Sequence, residues 1–229
     1  MDDKHHSFAS LQARLGKIVD TSDCGELLPL TEAALSLNDA TNQLVALVKA
    51  LETERVIAPA LVESAGECTT TVSRTATEHG DATVTFTSVH SLQQWDRRAR
   101  PIPMPADKQA MIAVAETGGR LIVNPTTDAP GIRLPRPAVI ALAHRDTWLP
   151  PWQDRELSEI LNRHLNRAVA YVSLLPSPTE TQVILVGVTE AGLRDRGKVG
   201  EAIRDMSREA RLETACERVE FRPVPAHIA

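Results

Sequence analysis

Val84-Thr85-Phe86-Thr87-Ser88, Leu92-Gln93-Gln94-Trp95, Arg100-Pro101-Ile102-Pro103, Leu121-Ile122-Val123-Asn124-Pro125 and Leu134-Pro135-Arg136-Pro137 follow one another between residues 84 and 144, and their reading decides the fold. Val84, Phe86 and Ser88 alternate as a strand does, and Ser88 can then cap a helix by accepting from its exposed backbone N–H groups. Val89, Leu92 and Trp95, three apart, give that helix one apolar edge, with Trp95 as its expected core anchor. Pro101, Pro103 and Pro105 alternate with Ile102 and Met104, which excludes a helix and holds the chain extended until Ala106-Asp107 starts the next one. Met111, Ile112, Val114 and Ala115 are expected to supply that helix's buried side, and Gly118-Gly119 to end it. Leu121-Ile122-Val123 reads as a short buried strand, Asn124-Pro125 as a corner, and Ile132 and Leu134 as a further strand. Pro137 then sits in the favoured first turn of a helix that runs to about His144. Nothing in the stretch assembles a reaction centre.

Upstream, residues 68 to 88 read as a hairpin turning at Gly80-Asp81, with Thr70, Val72 and Arg74 alternating on its first arm. Before it lies a helical lead-in. Leu27, Leu28, Leu30, Ala33, Ala34 and Leu35 recur at helical spacing, as do Leu44, Val45, Leu47, Val48 and Leu51 beyond the Asn38-Asp39 turn. Arg55 to Val62 is rich in branched apolar residues but holds Pro59, which suits an outer strand.

Downstream, Trp148-Leu149-Pro150-Pro151-Trp152 reads as a boundary, because paired prolines stop regular structure and the flanking tryptophans can pin a junction. Two domains are expected, residues 1–150 and 151–229. In the second, a helix at Leu157 to Leu165, strands at Val169 to Leu175 and Val183 to Val188, a helix over 199–212 and a strand at Val219 to Val224 favour an antiparallel sheet with helices on one face. The fold class is therefore α+β.

The succession quoted above resembles the N-terminal domain of the SseB family in its packing and turn residues. The rest of the chain is similar to longer bacterial members, which have a helical start and a small C-terminal domain. The resemblance implies a helical lead-in, a mixed SseB-like α/β domain and a small C-terminal α+β sandwich. It brings no established enzymatic reaction with it. Where relatives often place Asp-Pro, this sequence has Asn124-Pro125, which removes a carboxylate from that corner.

Composition narrows the function classes. The 229 residues are 42% hydrophobic and carry a formal charge of -5, which permits a substantial core and argues against general affinity for polyanions. Residues 1–67 hold 5 basic and 11 acidic side chains, 68–150 hold 9 and 7, and 151–229 hold 11 and 12, so only the middle section is slightly positive. Cys24, Cys68 and Cys216 follow no metal or redox spacing and fit a reducing compartment. With no secretory pattern and no apolar run long enough to span a bilayer, the cytoplasm is the expected location.

Gly192-Leu193-Arg194-Asp195-Arg196-Gly197-Lys198 has phosphate-loop spacing, but Val199 stands where a Ser or Thr would hold magnesium, and the interior is charged rather than glycine-rich. His144-Arg145-Asp146 lacks a nucleophile and reads as a helix end. No catalytic residue, metal ligand or cofactor is therefore expected. Arg97, Arg98 and Arg100 form the candidate interaction surface, with nucleic-acid contact disfavoured by their small number. The sequence favours a non-catalytic interaction or regulatory module for an unidentified protein partner. Its rivals are a regulator binding a small ligand or nucleotide at the domain junction, and an accessory factor of a ribonucleoprotein. Oligomeric state is left open.

Overall fold

Arg55–Leu61 carries apolar side chains on both faces of one strand, Val56 turned one way and Ile57 the other, and each is at most 1% exposed. A strand buried on both faces has cover on both sides. The computed structural model describes residues 23–61, 71–72, 74–77 and 80–226 and shows that cover. Thr70 of the expected hairpin lies outside the described residues.

Strand β1 (Arg55–Leu61) pairs antiparallel with β5 (Arg100–Pro105) along its length and with β2 (Thr71–Val72) at its end. It is thus an inner strand, not the outer one its proline suggested. Pro59 stands opposite Pro101, so neither proline asks the other for an N–H. A second sheet runs in the order β3 (Arg74–Thr75), β4 (Ala82–Thr85), β6 (Leu121–Val123), β7 (Ile132–Leu134). The hairpin expected across Gly80 is present as β3–β4, but β2 just before it pairs with β1 instead. Ile57 and Phe86 exchange backbone hydrogen bonds of 2.7 and 2.9 Å and join the two sheets.

Helices α1 (Pro29–Leu35) and α2 (Ala40–Leu51) form the lead-in, and Asp39 caps the second by accepting from Asn42 N. The first is capped from a distance. Glu54 accepts from Leu30 N and Thr31 N at 2.8 Å each and from Thr31 Oγ1 at 2.6 Å, placing a carboxylate against the helix's positive end.

Helices α4 (Ala106–Thr117) and α5 (Arg136–His144) pack with α2 on the Val56 side of the sheet, where Leu121, Val123 and Leu134 complete the core. The buried side of α4 is not the expected Met111, Ile112, Val114 and Ala115. It is Ala106, Gln109, Ala110, Ala113 and Thr117, while Met111 is 48% and Val114 39% exposed. Alanines let the helix approach the sheet closely, and each of its two buried polar side chains makes one bond to β4. Gln109 Nε2 donates to Val84 O at 3.3 Å and Thr117 Oγ1 lies 3.0 Å from Thr83 Oγ1.

On the Ile57 side, α3 (Val89–Trp95) covers Val84 and Phe86 with Leu92, which is fully buried. Ser88 caps it as expected, accepting from Ser91 N at 3.1 Å. Trp95 is only partly buried, its ring 5.4 Å from that of Phe86, and so closes the margin of this core rather than anchoring its centre.

Beyond the short 3-10 turn Pro151–Gln153, helix α6 (Arg155–Asn162), strands β8 (Val169–Leu174) and β9 (Thr181–Val188), helices α7 (Glu190–Arg194), α8 (Arg196–Met206) and α9 (Ala210–Ala215) and strand β10 (Arg218–Pro225) enclose a separate cluster of buried residues. Trp152, expected on this side of the boundary, packs against the first core with its ring edge-on to Trp148 at 6.3 Å. The sheet is not purely antiparallel. β8–β9 is antiparallel, but β10 returns parallel to β9 because the three intervening helices carry the polypeptide back to the starting end. The expected single helix over 199–212 is two, α8 and α9. Among the described residues no helix is long and apolar enough to cross a membrane.

One polar group fastens the lead-in to the sheet. Arg55 Nε and Nη2 donate to the Asp23 carboxylate at 2.6 and 2.7 Å, Nη2 also to Glu26 O at 2.7 Å, and Nη1 to Thr87 O at 3.0 Å. The hydrogen bond from Arg55 holds the Asp23 carboxyl below its usual range. Arg55→Ala leaves Asp23 with Gly25 N as its remaining donor and is expected to cost about 2 kcal/mol at neutral pH. A depressed carboxylate stabilises the fold above its unfolded pKa of about 3.9, and that contribution disappears as pH falls through the lower folded value. Urea denaturation of both proteins should therefore show the difference narrowing below about pH 4. In the second core, burial pushes the Cys216 thiol up to about 12. Alkylation of the folded protein at pH 8 should leave Cys216 on the order of a thousand-fold less reactive than in urea, as read by peptide mass spectrometry.

Candidate functional site

Asn124 takes a left-handed backbone conformation, φ 52°, that few residues other than glycine adopt readily. Its side-chain bonds explain why the position is an asparagine. Thr87 N donates to Asn124 Oδ1 at 2.9 Å, and Asn124 Nδ2 donates to Thr87 Oγ1 at 2.8 Å. The corner after β6 is thereby locked to the residue that precedes the cap of α3. The loop that follows is rigid in its own right. Thr126 N donates to Ala129 O at 2.8 Å, and Thr126 Oγ1 accepts from Asp128 N at 3.3 Å and from Ala129 N at 2.9 Å. It closes at Gly131, φ 76°, where an added Cβ would meet Val123 O at 2.6 Å.

Between this loop and α3 lies an open groove of about 820 Å³. His90, Gln93 and Gln94 on one face of α3 and Arg97 from the turn just beyond it line one wall, and Thr126, Thr127 and Asp128 line the other. Among the described residues none of those four wall side chains on the helix side has a hydrogen bond or ion pair within the protein. Thr126 also borders a second, less polar recess of about 450 Å³, where Trp95 faces Ile122, Pro125, Ala129 and Pro130.

The three arginines singled out by the sequence go different ways. Arg97 faces the groove. Arg98 folds back on Asp96, with its N and Nε donating to Oδ1 at 2.8 and 3.2 Å and its Nη2 to Oδ2 at 2.9 Å, and these bonds hold the Asp96 carboxyl below its usual range. Arg100 starts β5, paired across the sheet with Ala60. All three are exposed, but of them only Arg97 lines the groove. Its groove companions, His90, Gln93 and Gln94, were legible only as a polar helix side, and no signal in the sequence brings Thr126 to Asp128 opposite them.

The other candidates take less inviting forms. The phosphate-loop-like stretch is not a loop: Gly192 lies in α7, and Asp195 caps α8 by accepting from Lys198 N at 3.3 Å, setting a carboxylate at the helix end where a phosphate would bind. Val199 is buried. His144 ends α5, and Arg145 beside it donates to Asp107 at 2.7 Å. At the junction of the two cores a recess of about 430 Å³ is bordered by Gln43, Ile132, Arg133, Pro178 and Glu180. Arg133 there lies 3.0 Å from Glu217 and 3.5 Å from Glu180, so its charge is already matched. No group of three or more metal-ligating side chains occurs among the described residues.

Compared with protein families, residues 30–141 match the SseB protein N-terminal domain. That part of the chain is an SseB-type N-terminal domain. The matched residues run from α1 into α5 and include both walls of the groove. Comparison with the curated proteins gives no match, and neither does comparison with the solved structures.

In this SseB-type domain the Asn124 corner is a structural clamp first. Asn124→Ala removes both side-chain bonds, leaves the buried Thr87 N–H unpaired and puts a Cβ-bearing residue without local compensation at positive φ, for an expected loss of about 2 to 4 kcal/mol. Asn124→Asp keeps the acceptor, and the Thr87 hydroxyl can turn to donate to the second oxygen, so its cost should stay near or below about 1 kcal/mol. Urea midpoints of the two variants test the order. An Asp variant as unstable as the Ala variant would show that the bond donated by Nδ2 has no substitute.

Proposed function

We propose that this SseB-family protein is a non-catalytic interaction or regulatory module of the cytoplasm, and that it holds a protein partner in the groove between α3 and the β6–β7 loop. The observation that carries the reading is the wall beside α3, where four polar side chains with no partner among the described residues face a loop that is braced by its own hydrogen bonds. Such a wall has no internal bond to break before it makes new ones, and the braced loop opposite has little left to order, which partly offsets the rotamer freedom that the wall's side chains lose on binding. A nucleic-acid role is less well supported, because the groove offers a single uncommitted arginine and opposes it with Asp128. The buried Cys216 thiol suits a reducing compartment.

A photo-crosslinking residue placed at Gln94 and activated in the cells that make the protein tests the reading. One discrete protein adduct should form, and adding Arg97→Glu should reduce it by about ten-fold or more, equivalent to about 1.4 kcal/mol of binding. The same probe at exposed Glu159 on α6 is the control. Identical adduct patterns from the two positions, or an adduct indifferent to Arg97→Glu, would remove the groove from consideration.

A further inference from the structure

The groove's chemistry narrows what kind of partner surface fits it. Gln93 and Gln94 each present a donor and an acceptor, the complement of a peptide's backbone C=O and N–H groups. Arg97, in the turn just beyond the helix, adds a positive charge to the same wall, and His90 a further ring nitrogen donor. Past Thr126 the walls change character, to the partly buried Trp95 beside Pro125, Ala129 and Pro130. A segment lying along both recesses would meet amides and a cation first and an aromatic, proline-lined hollow second. Grooves that join an aromatic to proline-compatible apolar walls take extended peptide, whose backbone needs external partners.

Resting on the reading of the groove as the partner site, we propose that its occupant is an extended peptide segment of the partner. The segment carries an acidic residue against Arg97 and an apolar residue or proline in the hollow at Trp95. Charge separates this occupant from a polyanion. Arg98 is turned onto Asp96, Arg100 lies on β5, and Asp128 stands on the wall opposite Arg97. The one arginine in the groove's lining matches one carboxylate, whereas a nucleic-acid backbone requires several cations to displace its counterions. Asp128 can accept from the peptide's N–H groups, a role that a phosphate backbone does not fill.

The full-length protein, labelled with nitrogen-15, is titrated with a twelve-residue peptide of repeated Glu-Leu-Pro and separately with its Lys-Leu-Pro counterpart and with single-stranded oligouridylate. The acidic peptide should shift the side-chain amide signals of Gln93 and Gln94 and the indole N–H of Trp95, leaving those of Trp148 and Trp152 in place. Its affinity should fall by about ten-fold in Arg97→Gln and with added salt, and stay unchanged in Arg98→Gln, which removes the same charge one residue away. Equal binding of the acidic and basic peptides, equal effects of the two arginine variants, or tighter binding of oligouridylate would overturn the proposal. Silence of all three probes while the Gln94 adduct persists would also overturn it, since the partner would then present a folded face and only the broader reading of the groove would stand.

Discussion

Asp23, Arg55, Thr87 and Asn124 form one continuous polar relay, guanidinium to carboxylate at one end and amide to threonine at the other. The start of β1, the start of α3 and the loop after β6 all take their positions from it. Each link is at least partly buried, so a broken link leaves a desolvated group behind rather than a rehydrated one. Thr87 is the hinge of this arrangement: its carbonyl accepts from Arg55 while its N–H and hydroxyl meet Asn124. Because Ser88 follows directly and caps α3, the same relay sets the angle at which the helix's polar face meets the loop.

Around that relay, the two faces of the sheet are built by different means. On the Val56 side, alanines on α4 allow close approach, and the larger apolar groups come from α2, α5 and the strands. On the Ile57 side a single short helix supplies Leu92, and the cover thins out at Trp95. The groove occurs at this thinner cover. It exists because one helix of seven residues is too short to cover the face out to the β6–β7 loop.

Much of this was legible in the sequence, and the failures are instructive. The cap at Ser88, the extended prolines at 101 to 105 and the helix starting near Pro137 follow from local chemistry, and local chemistry held. Periodicity misled at α4, because Met111 and Val114 are larger than Ala110 and Ala113 and draw attention to the wrong side of the helix. Element order alone suggested an antiparallel C-terminal sheet, yet the three helices between β9 and β10 return the strand parallel. The polar relay was out of reach. Arg55 and Asp23 are 32 residues apart and Thr87 and Asn124 are 37, and single residues that far apart leave no pattern. Arg97, Arg98 and Arg100, adjacent in sequence, differ in what they meet: Arg97 lines the groove, Arg98 pairs with Asp96 and Arg100 starts β5.

The loop from Thr127 to Pro130 is exposed, yet both of its ends are fixed, by the Asn124 clamp on one side and by Gly131 pressed against Val123 O on the other. Its tip can therefore lengthen, shorten or change composition with little disturbance to either core. One wall of the groove is free to drift between descendants of this sequence while the wall on α3 is held by the requirements of the fold. A scaffold of that kind can acquire new partners by changing four residues, without first having to become less stable.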